Sequence, residues 1–143
     1  MHYRVGADTN ILFSGLFFTG APHDFLKRVL RKDLTLFLSQ YVVDELLDVL
    51  GQKKVSDESF RRLLELENVR VFSDDHYASK ALFSEGKRLV RDLKDVPVYA
   101  FAAYGLRTGV FDYFITGDAD LRVPKVKAAL HNKVLSVSEF LGL

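Results

Sequence analysis

The chain has 143 residues with 20 Lys+Arg against 19 Asp+Glu, a formal charge of +1, so it is no bulk polycation that holds nucleic acid by net charge alone. It has no cysteine, which excludes a disulfide framework, a thiolate nucleophile, Cys-ligated zinc and iron–sulfur chemistry. Hydrophobic residues make up 48% and charged residues 27%, the balance of a globular domain, and the length predicts one domain over residues 1–143.

Tyr3 to Ala7 predicts a short strand ending at Asp8, and Asn10 to Phe18 a helix broken at Thr19-Gly20. The first residues read as a strand and a turn, not as the charged start of a signal peptide. No apolar run approaches the ~18 residues of a membrane span. A cytoplasmic protein with no membrane association is therefore expected. Phe25, Leu26, Val29 and Leu30 give Pro22–Arg31 the spacing of an amphipathic helix. Leu34 to Leu38 is a compact apolar strand, and Ser39 can cap the helix after it, Tyr41 to Leu50, with Gly51 expected to stop it.

A helix over Asp57–Glu67 is expected next, then a strand at Val69–Phe72, then a helix over Ser79–Val90. Pro97 to Leu106 is rich in Ala and aromatic residues, which predicts a helix buried on most sides. Tyr113 to Thr116 is a strand running into the turn Gly117-Asp118. A helix over Pro124–Leu130 and a strand over Val134–Val137 follow, with Ser138 expected to cap the last turn. Each of the three prolines, Pro22, Pro97 and Pro124, stands where a helix can start. Strands alternating with helices predict an α/β fold, a mostly parallel sheet with helices on both faces. In such sheets sites form beyond the carboxyl ends of the strands.

Asp8 and Asp118 follow apolar strands directly, and Glu45 and Asp95 are candidates on helices. Each has an ordinary role available, since Asp8 and Asp95 are placed to cap helices and Asp118 to form a turn. With Val42, Val43, Leu46, Leu47 and Leu50 as the buried face, helical geometry does not choose between Asp44 and Glu45. Four carboxylates converging in a cleft would repel one another, and a hard divalent cation, Mg²⁺ or Mn²⁺, removes the conflict. Such a site supports metal-assisted hydrolysis of a phosphodiester. The basic groups Lys87, Arg88, Arg91 and Lys94 lead into Asp95 and are candidates for holding phosphates, while Tyr99 and Tyr104 are candidates for base stacking. Phe17-Phe18, if exposed, would suit a protein interface.

These segments resemble the PIN-domain nucleases, in particular the small VapC-like proteins that are toxin components of toxin–antitoxin pairs. Asp8-Thr9-Asn10 is similar to that family's D-T-N start. Ser39 to Leu46 is similar to the helix bearing its second acid and selects Glu45. Arg91 to Pro97 is similar to the segment of its third acid, placed at Asp95 with Asp92 as a rival. Thr116-Gly117-Asp118-Ala119-Asp120-Leu121 is close to its T-G-D-x-D-L segment. The resemblance implies a three-layer α/β/α domain, PIN-like and Rossmann-like, and a Mg²⁺- or Mn²⁺-dependent endoribonuclease. Asp8, Glu45, Asp95 and Asp118 would be its catalytic, metal-holding acids. Asn10 and Thr116 would orient them and Asp120 would be an auxiliary acid. The resemblance also implies a homodimer and an antitoxin-like partner. The alternative is a catalytically weak module of the same fold that binds RNA or protein. A phosphoaspartyl protein is disfavoured, because Asp8-Thr9-Asn10 is not a D-x-D-x-T motif, and no G-x-G-x-x-G or Walker motif supports nucleotide-cofactor binding.

Overall fold

A computed structural model describes residues 2–143 as a three-layer α/β/α arrangement around a five-stranded sheet in which every strand is parallel to its neighbours. Strand β1 (Tyr3–Ala7) is followed by α1 (Thr9–Phe17) and α2 (Ala21–Leu30). Next come β2 (Leu34–Ser39), α3 (Gln40–Gln52), α4 (Glu58–Leu64) and β3 (Val69–Phe72). A short α5 (Asp74–Tyr77), α6 (Lys80–Leu89) and α7 (Val96–Thr108) lead to β4 (Tyr113–Ile115). Then α8 (Pro124–Ala129), β5 (Val134–Leu135) and α9 (Val137–Leu141) complete the chain. Parallel neighbours need crossover connections, and these helices supply them. No helix among the described residues is long and apolar enough to cross a membrane.

Alternation along the strands sends neighbouring side chains to opposite faces. Tyr3 and Tyr113 pack on Phe140 of α9, which meets Phe25 of α2 edge-on. Phe37 and Phe114 point the other way, onto Phe111, which stacks against Phe101 of α7. The sheet is thus apolar on both faces, as a sheet covered by helices on both sides must be. Gly105 of α7 lets Phe111 approach, because a Cβ there would lie 1.9 Å from its ring. Gly109 ends α7 at φ +77°, in the left-handed region that a residue without Cβ adopts freely.

The predicted cap at Ser39 is present, accepting the Val42 N–H, and Ser79, expected to be the first residue of its helix, caps it by accepting the Leu82 N–H. Prolines stand in the first turns of α2, α7 and α8 as expected. Several local expectations are corrected. Gly51 lies inside α3, and the chain turns instead at Lys54, φ +55°. The next helix, expected over Asp57–Glu67, ends at Leu64, and Asp57 stands just before its first residue with its carboxylate paired to Arg61. Ser136, not Ser138, caps the last helix, in a reciprocal box with Glu139 that cuts β5 to two residues.

Candidate metal centre

The strand order β3-β2-β1-β4-β5 reverses direction between β1 and β4, and at such a reversal a crevice opens beyond the carboxyl ends of the strands. Asp8 leaves β1 at that point. One of its oxygens accepts the N–H of Ile11 at 3.3 Å, capping α1, and the other accepts the hydroxyl proton of Thr116, which leaves β4. Capping and siting are therefore not alternatives at Asp8; one carboxylate does both. Burial pushes its carboxyl up from 3.8 to about 6. The hydrogen bonds from Thr116 and Ile11 oppose the rise, and the charges of Asp118 and Glu45 add to it.

Thr116 is fully buried and works in two directions. While donating to Asp8, its Oγ1 accepts the N–H of Asp118 at 3.0 Å. Asp118 Oδ1 in turn accepts the N–H of Asp120 at 2.9 Å, which folds the chain into a 3-10 turn at Ala119–Leu121. A second 3-10 turn, Leu93–Asp95, precedes α7. It is capped by Asp92, whose Oδ1 accepts the Lys94 N–H at 3.0 Å. Asp95 occupies the position just before α7, yet its side chain makes no capping bond there. Its carboxyl faces the other acids instead. Burial pushes it up to about 6, with the charges of Asp118 and Asp92, a hydrogen bond with Asp118 and the charge of Asp120 acting in the same direction.

Asp44 and Glu45 part company in three dimensions. Asp44 is exposed and bonded by Gln40 of its own helix, whereas Glu45 is half-buried and accepts the hydroxyl of Thr9 from α1. One turn earlier on α3, the Tyr41 hydroxyl donates to the carbonyl of Lys94 at 3.2 Å, tying α3 to the turn that carries Asp95. Burial and the charges of Glu45, Asp95 and Asp92 all raise that phenol's pKa, so it stays a donor. Sequence reading passed over Thr9 and Tyr41, because their roles exist only once α1, α3 and the Asp95 turn meet.

Asp8, Glu45, Asp95 and Asp118 all line one cleft of about 310 Å³, with Asp92 and Asn10 also on its walls. The tightest grouping differs from the expected four. Single oxygens of Asp95, Asp118 and Asp120 lie within 4.8 Å of one another, which brings the auxiliary acid Asp120 into the centre. It is Thr9, rather than Asn10, that is hydrogen-bonded to a site carboxylate. The basic series divides. Lys94 lines the cleft and Arg91 pairs with Asp120 at 3.3 Å, while Lys87 and Arg88 stand exposed on α6 outside the cleft lining. Tyr99 is fully buried with its hydroxyl on Glu85, and Tyr104 stacks with Phe72 and His76, so the aromatics of α7 are committed to packing.

No protein-family model and no curated protein matches this sequence.

The donor set is carboxylate oxygen with hydroxyl and amide support and without nitrogen or sulfur ligands, which suits a hard cation of the Mg²⁺ or Mn²⁺ type. Two carboxyls raised to about 6, first by burial and then by neighbouring carboxylates, are what such a group shows before a cation compensates its charge.

Proposed function

We propose that this chain is a divalent-cation-dependent nuclease of the PIN type that hydrolyses phosphodiester bonds in RNA. The observation that carries the reading is the convergence of single oxygens of Asp95, Asp118 and Asp120 within 4.8 Å, with Asp95 and Asp118 lining the same cleft as Asp8 and Glu45. These acids come from four separate stretches of the chain, and a structural role requires no such meeting. Asp95, Asp118 and Asp120 would hold Mg²⁺ or Mn²⁺, with Asp8 and Glu45 completing the oxygen set. When bound, such an ion supplies Lewis-acid stabilisation of a phosphoryl oxygen and an activated water.

The remaining work falls to the chain. Thr116 fixes Asp8 and, through the Asp118 N–H, the loop that carries Asp118 and Asp120. Thr9 turns Glu45 toward the crevice, leaving its second oxygen to orient water. Lys94, on the cleft wall, meets the negative charge of the incoming phosphate. Phe18, 60% exposed just past the end of α1 and beside Phe13 and Phe17, supports a protein contact there, as a homodimer or an antitoxin-like partner would need.

The test is hydrolysis of a labelled single-stranded RNA with Mn²⁺ or Mg²⁺. Cleavage is expected, lost on chelation and reduced about a hundredfold or more by Asp118→Asn or Asp8→Asn. Variants that cut as fast as the parent would overturn the assignment of the site.

A further inference from the structure

Next to the acidic cleft lies a second groove of about 300 Å³ walled by Leu89, Val123 and Pro124 and carrying Arg91, Lys125 and Asp120, whose carboxylate reaches within 4.8 Å of Asp95 and Asp118 of that cleft. Resting on the nuclease reading, we infer that this groove is a nucleotide subsite. It would receive the unpaired base and phosphate of the residue adjoining the cleaved bond in single-stranded RNA.

The groove has the two components that such a ligand needs. Its wall, formed by the end of α6 and the start of α8, offers the aliphatic side chains of Leu89, Val123 and Pro124 for van der Waals contact with the face of a base. Its two cations offer charge-assisted contacts to a phosphate. Charge changes sign from the carboxylates of the first cleft, through Asp120 beside Asp95 and Asp118, to Arg91 and Lys125. A polyanion is therefore repelled at the acidic end and attracted at the other, which fixes where the strand is gripped.

Arg91 is free to make that contact at little cost. Its pair with Asp120 is long, at 3.3 Å, and its side chain is 85% exposed. Exposed pairs of this kind contribute little, so a phosphate competes with Asp120 easily. Packing a base face against this wall needs a base outside a duplex, which selects single strands.

Binding can be read without cleavage, by fluorescence anisotropy of a labelled single-stranded hexaribonucleotide at low salt with chelator present. Arg91→Ala and Lys125→Ala are each expected to weaken binding about three- to tenfold and to reduce the salt slope by about 0.7. Val123→Asp should weaken binding comparably, and Arg70→Ala, exposed on the distant edge strand β3, should leave it unchanged. A duplex of the same sequence should bind less tightly than the single strand. Unchanged affinity in both Arg91→Ala and Lys125→Ala, or tighter binding of the duplex, would overturn the subsite. Selective single-strand binding without Mn²⁺-dependent hydrolysis would overturn the nuclease reading and leave the subsite standing. Hydrolysis combined with variants that bind like the parent would do the reverse.

Discussion

The hydroxyl of Thr116, at the end of β4, donates to the carboxylate of Asp8, at the end of the neighbouring β1. The bond closes the floor of the crevice where the sheet reverses direction. It also gives a buried negative charge one of its two donors, the other being the Ile11 N–H. Thr116→Val keeps the shape and removes the donor. A loss of about 1–3 kcal/mol is expected at pH 7.5. The loss should be smaller near pH 5, where Asp8 is largely protonated and has less charge to satisfy. Urea unfolding at the two pH values measures this, and an equal loss at both would mean that the hydroxyl does not serve the charge.

Asp8 and Asp95 both titrate near pH 6 in the folded chain, against an ordinary value of 3.8. The folded state therefore binds more protons than the unfolded one between those values. Their favourable contribution is complete below about 3.8 and disappears as pH rises through about 6. Glu85, which Arg107 holds below its ordinary value, has the opposite sign and loses its contribution only as pH falls through that lowered pKa. The cation-free protein should accordingly lose thermal stability between about pH 5 and 7.5. Asp8→Asn should flatten that decline, and Mg²⁺ or Mn²⁺ should reverse it by binding only the folded chain. A melting temperature constant over this range in chelator would contradict the coupling.

Neighbouring acids on α3 should behave differently. Glu45→Gln removes a cleft carboxylate that Thr9 holds, and a loss of RNA hydrolysis of about tenfold or more is expected. Asp44→Asn alters an exposed group bonded only to Gln40, and hydrolysis should be unchanged. Steady-state rates for the pair decide between them, and equal effects would put both residues outside the chemistry.

Two glycines separate packing from backbone strain. Gly105→Ala drives a methyl into the Phe111 ring and is expected to cost about 3 kcal/mol, at the upper end for overpacking. Gly109→Ala meets open space but must hold φ +77°, a loss of about 1 kcal/mol. Denaturant midpoints should rank the two in that order.

Much of this molecule was legible in its amino acids, because apolar strands alternating with amphipathic helices leave few architectures open. The exceptions are local. Asp74–Tyr77 has too few residues to show a period, and it is a helix because Tyr77 is buried against Phe101. Gly51 reads as a stop, but α3 runs one residue past it, to Gln52, before the chain turns. At the site, Asp8 and Asp118 were visible from their places after strands. Asp95 looked like a cap, and the 3-10 turn capped by Asp92 is what releases its carboxylate. Asp120 was undervalued because residues two apart in an open turn diverge. The bond from its N–H to Asp118 folds it back into the cluster. Thr9 and Tyr41 carried no local signal, since their partners lie 36 and 53 positions away.

The central claim, that one hard cation sits among Asp95, Asp118 and Asp120, is tested most directly by titrating the cation-free protein with Mn²⁺. The free ion would be followed by electron paramagnetic resonance. Saturable binding of about one ion per chain at millimolar or lower concentration is expected, abolished by Asp118→Asn and weakened by Asp120→Asn. Mn²⁺ that stays free throughout, or that binds Asp118→Asn as it binds the parent, would contradict the account.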